Sequence, residues 1–126
     1  MNTPNTQHVL IIEDDLDLQM MIVHMLRPFH CTIHTAQNGV EGMDLLQNNR
    51  YDLVILDLNL PHIRGEALLR FMRQSPDLQD VVVIITTVFN AEQIQDIAAL
   101  ANYILQKPYA LQEFRQIVGR ALDQQG

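Results

Sequence analysis

Val9-Leu10-Ile11-Ile12-Glu13-Asp14-Asp15 is a short apolar run that stops on three acids. The same form recurs along the chain. Leu53-Val54-Ile55-Leu56 stops on Asp57, Val81-Val82-Val83-Ile84-Ile85 stops on Thr86-Thr87, and Tyr103-Ile104-Leu105 runs out near Lys107-Pro108. Unbroken β-rich runs of this length read as strands covered on both faces, because a strand with one wet face alternates apolar and polar residues. Residues 30–35 (HCTIHT) form a weaker strand of mixed character.

Between these runs the period becomes helical. Val40, Met43 and Leu46 mark one stripe, and Leu68, Phe71 and Met72 a second. Ile94, Ile97, Ala98 and Ala101 form a third, and Leu111, Phe114, Ile117, Val118, Ala121 and Leu122 form the cleanest. Residues 16–27 are apolar over a wide arc, which predicts a well-buried first helix with Met20, Met21 and Met25 as core filler; Pro28 stops it. The order β-α-β-α-β-α-β-α-β-α with short connections predicts a parallel sheet with helices on both faces. Right-handed crossovers leave few topologies. The expected fold is α/β, a flavodoxin-like (βα)5 three-layer sandwich with strand order 2-1-3-4-5. A single domain over residues 1–126, with its core at about 8–122, is expected, and Gln124-Gln125-Gly126 reads as a tail or the start of a linker.

Composition narrows the function classes. The 126 residues carry eight Lys and Arg against fifteen Asp and Glu, a net charge of −7 that disfavours direct binding to nucleic acid or to an anionic membrane. Apolar residues at 48% and charged residues at 18% exclude a disordered chain. The lone Cys31 cannot form a disulfide within the chain and reads as a small core residue. No apolar run approaches the length of a membrane span, and the start of the chain lacks the pattern of a secretory signal. A cytoplasmic protein is expected. His8, His24, His30, His34 and His62 match no zinc-binding spacing; His62 alone falls in a loop near the chemistry, with a plain surface role as the default.

In a parallel sheet, ligands bind beyond the carboxyl ends of the strands. Strand 1 delivers Asp14 and Asp15 there, strand 3 Asp57, strand 4 Thr86 and Thr87, and strand 5 Lys107. Asp15 alone also reads as a helix cap. Three converging carboxylates repel, so either their pKa values rise or a cation offsets them. A hard divalent ion such as Mg²⁺, which takes one or two carboxylates together with phosphate and water, is the simple solution. A carboxylate nucleophile, a metal, a lysine and a hydroxyl together suit phosphoryl transfer to Asp.

With these motifs in this order, the chain resembles the response-regulator receiver domains of two-component signalling over about residues 8–122. The motifs are Glu13-Asp14-Asp15, Asp57-Leu58-Asn59-Leu60-Pro61 with Gly65 eight residues after the Asp, Val81 to Thr86, and Lys107-Pro108 followed by Tyr109. The resemblance implies that Asp57 accepts a phosphoryl group from a histidine kinase or phosphotransfer protein. It implies Mg²⁺ held by Asp14, Asp15 and Asp57, with Asp15 most direct and Asp14 through water, and the backbone carbonyl of Asn59 as a further ligand. Thr86 would hydrogen-bond the phosphoryl group, Lys107 would pair with it, and the Lys107-Pro108 peptide would be cis. Phosphorylation would then switch the surface of helix 4, strand 5 and helix 5, read by an unknown downstream partner or a fused output domain. No output domain is visible in the sequence.

The chain departs from the family pattern at three places. Thr87 stands where the family carries a small residue, Ile104 where it carries an aromatic switch, and Leu100-Ala101 where it carries Gly-Ala; Asn102, which tolerates left-handed backbone, would supply that turn. Three other readings compete. A receiver-like module that is never phosphorylated is opposed by the complete acidic set. A small phosphatase of the haloacid dehalogenase type normally needs a second Asp where Asn59 stands. A flavin carrier needs a Ser, Thr and Gly-rich loop where Glu13-Asp14-Asp15 stands.

Overall fold

The computed structural model describes residues 6–60 and 63–123. Pro61 and His62 of the sequence motifs, and Gln124 to Gly126, therefore lie outside the described residues. The elements alternate as β1 (His8–Ile12), α1 (Leu16–Met25), β2 (Thr32–Ala36), α2 (Gly39–Asn48), β3 (Leu53–Asp57), α3 (Gly65–Gln74), β4 (Val82–Thr87), α4 (Gln95–Ala98), β5 (Tyr103–Gln106) and α5 (Leu111–Asp123). One short 3-10 turn, Arg27–Phe29, follows α1 and contains Pro28. The five strands are parallel in the order β2-β1-β3-β4-β5, as expected.

Strand residues alternate between two cores, which is why the sequence shows unbroken apolar runs. Val9, Ile11, Leu53, Ile55, Val82, Ile84 and Leu105 meet Ile22 of α1 and Phe114 and Val118 of α5. Leu10, Ile12, Val54, Leu56, Val83 and Ile85 meet Leu46, Leu68, Met72 and Ile97 on the other face. β2 is an edge strand with only Ala36 fully buried, hence its mixed sequence. His34 on it hydrogen-bonds the Tyr51 hydroxyl at 2.7 Å. His30 lies before the strand, in left-handed backbone at φ 51°. Cys31 is half-buried against the α1/α5 core.

Four helical expectations need correction. The first helix is buried on one side only: Leu16, Met20 and Met21 are 50%, 70% and 54% exposed, while polar Gln19 is 8% exposed. Of the three methionines only Met25 joins the core. On α2, Val40 faces solvent, and the buried seam is Gly39, Gly42 and Leu46. A Cβ at Gly42 would stand 2.7 Å from Ile12 Cδ1, so the end of the Ile12 side chain would have to shift to admit one. The fourth helix is shorter than its stripe, because i to i+3 bonds flank it: Ile94 N–H donates to Ala91 O at 3.3 Å, and Leu100 N–H to Ile97 O at 2.8 Å.

The last correction concerns Asn102. It does not adopt left-handed backbone. Its main-chain N–H donates to Val83 O, and its Oδ1 accepts from Val83 N–H and from the Arg73 guanidinium. The amide side chain thus extends the β4–β5 ladder by one residue.

Candidate functional site

The carboxyl ends of β1, β3, β4 and β5 meet at one edge of the sheet. Asp57 is the last residue of β3 and is 3% exposed. Its Oδ1 accepts the Asn59 N–H at 3.0 Å, and its Oδ2 stands 3.4 Å from Lys107 Nζ. Lys107 Nζ also stands 3.3 Å from Oε1 of Glu13, which is 2% exposed. One ammonium is thus shared by two buried carboxylates. The Lys107-Pro108 peptide is cis, as expected.

Burial, and then the charge of Asp57, push the Glu13 carboxyl up to about 7, against the N–H of Asp15 and the ammonium of Lys107, which pull it down. The neighbouring Tyr109 phenol is pushed up to about 12 by burial and by the Glu13 and Asp57 carboxylates. Tyr109 stacks on Phe114 with ring centres 5.8 Å apart, and its buried hydroxyl has no partner among the described residues.

The three consecutive acids divide their work. Glu13, Asp14 and Asp57 each offer one oxygen, and these oxygens lie within 4.8 Å of one another. Asp15 does not join them. Its Oδ1 accepts from the N–H groups of Asp17 and Leu18, so it caps α1. This changes the metal-facing set expected from the sequence: Asp14 and Asp57 are in it, Asp15 is spent on the helix start, and Glu13 takes its place. Strand alternation carries the missing signal. Val9 and Ile11 face the same core as Leu53 and Ile55, so Glu13 and Asp57, two residues on, leave the sheet on that side. An all-oxygen set of three carboxylates facing a single lysine fits a hard divalent cation.

Thr86 and Thr87 part company for the same reason. Thr86 is the registered partner of Asp57 and leaves the sheet on its face. Thr87 points to the opposite face, fully buried, and its Oγ1 accepts the Phe89 N–H at 3.1 Å. The second hydroxyl therefore does not crowd Asp57. Ile104 packs against the α2/α3/α4 core from β5. Gly65 completes the enclosure: a Cβ there would strike the carbonyl oxygen of Asp57 and come within 2.7 Å of Leu58 Cα.

A cleft of ≈ 490 Å³ lies beside the site, between the loop after β3 and α4, lined by Leu58, Asn59, Phe89, Gln93 and Ile97 among others. A wider groove of ≈ 890 Å³ surrounds Tyr51 and Asp52 before β3, and none of the site acids lines it.

Known proteins share this sequence pattern and fold. Residues 9–119 match the response regulator receiver domain family. The response regulator MprA of Mycobacterium sp. (strain KMS) is 31% identical over 105 residues, 83% of this chain and 46% of that protein. The chain spans about half or less of the length of such curated relatives. The chemotaxis response regulator CheY4 of Vibrio cholerae shares the fold at TM-score 0.87 and 24% identity, covering 94% of this chain and all of that one. The receiver domain of the sensor histidine kinase PA1611 from Pseudomonas aeruginosa, solved with a magnesium ion coordinated in its active site cleft, is 26% identical at TM-score 0.83, covering 94% of this chain and 99% of that one. Among the described residues no helix is long and apolar enough to cross a membrane. With the match running from β1 into α5, this chain belongs to the response regulator receiver domain family of two-component signal transduction.

Proposed function

We propose that the chain is a phosphoacceptor whose Asp57 takes a phosphoryl group in the presence of Mg²⁺, and that it acts on no separate substrate. The observation that carries this reading is the buried Asp57 carboxylate, 3.4 Å from Lys107 and grouped with Glu13 and Asp14. Bound Mg²⁺ would supply charge neutralisation for the carboxylates and the phosphoryl oxygens. Asp14, Asp57, Glu13 and the Asn59 carbonyl are the groups that would hold it.

The chain's own residues do the rest. An Asp57 carboxylate oxygen forms the new O–P bond as the P–N bond of a phosphohistidine donor breaks, its electron pair leaving on the imidazole, which gains a proton. Lys107, released from two carboxylates to one oxyanion, pairs with the incoming group. Thr86, on the same sheet face as Asp57, donates its hydroxyl to a phosphoryl oxygen, and its movement repacks Ile104 and the surface of α4, β5 and α5. The donor would be a histidine kinase or a histidine phosphotransfer protein. The receiver would sit with an output domain or a separate downstream partner, as the greater length of the relatives suggests.

Intact mass after incubation with Mg²⁺ and a small phosphodonor tests this, wild type beside Asp57→Asn. One phosphoryl adduct on wild type only, lost with EDTA, is the expected result. No adduct on a wild type that binds Mg²⁺ would instead support a module that works without phosphorylation. Catalytic release of phosphate from an added ester would support a phosphatase.

A further inference from the structure

Gln19 is the polar residue that α1 buries, next to a methionine that it leaves in solvent. Its Nε2 donates to the carbonyl oxygens of Glu13 and of Ala36, both at 3.1 Å. Its main-chain N–H donates to Asp15 O at 2.8 Å, and Glu13 N–H donates to the same Ala36 carbonyl at 3.0 Å. One residue thus ties together the ends of β1 and β2 and the start of α1, at the point where the acid loop leaves the sheet.

The carbonyl of Glu13 belongs to the peptide plane between Glu13 and Asp14. That plane is rigid, so fixing its oxygen fixes the amide and Cα of Asp14 as well. The remaining contacts of the loop hold its other two acids: Glu13 Oε2 accepts the Asp15 N–H, and Asp15 Oδ1 caps α1. Asp14 is the exposed member of the metal-capable group. The bonds around it are made by the main chain that carries it.

We propose that Gln19 is a positioning residue for the cation site: its side-chain amide sets the Glu13–Asp14 peptide plane and so aims the Asp14 carboxylate at the space shared with Glu13 and Asp57. An apolar side chain of the same length would fill the same volume but leave the Glu13 carbonyl without its donor. The peptide would then be free to turn toward another partner. Groups of this kind, one step removed from the ligands, commonly change metal affinity by about 10–100-fold when lost. The proposal rests on the Mg²⁺ reading above.

Calorimetric titration of the folded chain with Mg²⁺ alone provides the test, with no phosphodonor present. Gln19→Met should bind Mg²⁺ about tenfold more weakly than wild type. Val118→Ala, which weakens the core against α5 far from the acid loop, should lose thermal stability and keep wild-type affinity. Gln19→Asn, too short to reach both carbonyls, carries the same expectation should the methionine variant fail to fold. Wild-type affinity in either folded Gln19 variant overturns the proposal while leaving the Mg²⁺ reading intact. A wild type that binds no Mg²⁺ overturns both.

Discussion

Asp57 and Thr86 are registered partners across β3 and β4, and the Leu58 N–H, one residue on, donates to the Thr86 carbonyl at 3.1 Å. Parallel neighbours in register leave the sheet on one face, so the hydroxyl of Thr86 belongs to Asp57 and that of Thr87 does not.

The two threonines should therefore separate by variant. Thr86→Ala is expected to accept a phosphoryl group yet lose the conformational response, followed by amide chemical shifts in α4 and β5 with and without a phosphoryl mimic. Thr87→Ala is expected to keep that response and to lose about 1 kcal/mol of stability, since the Phe89 N–H loses its acceptor. A response abolished in Thr87→Ala and intact in Thr86→Ala would reverse the assignment.

Glu13 makes the metal-free protein sensitive to pH. Its carboxyl is raised from 4.5 to about 7 in the folded chain, so between these values the folded state holds a proton that the unfolded state has released. Stability should accordingly fall as pH rises from about 4.5 to about 7, and level off above, as far as this group contributes. Glu13→Gln should flatten that part of the profile in urea melts done at closely spaced pH values without metal.

Lys107 offsets two carboxylates with one charge. Lys107→Met should destabilise the metal-free protein by about 1–2 kcal/mol, less than a fully buried pair because the lysine side chain is 20% exposed. Mg²⁺ binding should tighten at the same time, because a competing cation has been removed. Titration calorimetry and thermal melts on the same sample would check both; weaker Mg²⁺ binding would show that Lys107 orders the site more than it competes for it.

Away from the site, Arg73 anchors α3. Its guanidinium donates to the carbonyls of Leu100, Gln79 and Val81 and to Asn102 Oδ1, at 2.7 to 3.0 Å. Arg73→Ala leaves several acceptors to find water and should cost about 2–3 kcal/mol. Mg²⁺ affinity should not change, since Arg73 touches none of the acids.

The sequence by itself determined the parallel α/β order, the placement of Asp57, Thr86 and Lys107 at strand ends, and the family. The reason is that a strand covered on both faces must be apolar throughout, so its polar terminus stands out in one dimension. Tertiary structure decided which neighbours of those residues take part. Glu13, Asp14 and Asp15 are three acids in a row; strand alternation puts Glu13 on the side of Asp57, and only the turn from strand into helix brings Asp14 to them and Asp15 to the helix cap. The inner face of α1 was equally hidden. A buried glutamine and exposed methionines oppose the hydropathy pattern, because Gln19 is buried for two carbonyls supplied by β1 and β2. The glycines of α2 depend in the same way on how near Ile63 and Ile12 come, distances that exist only once the elements have packed.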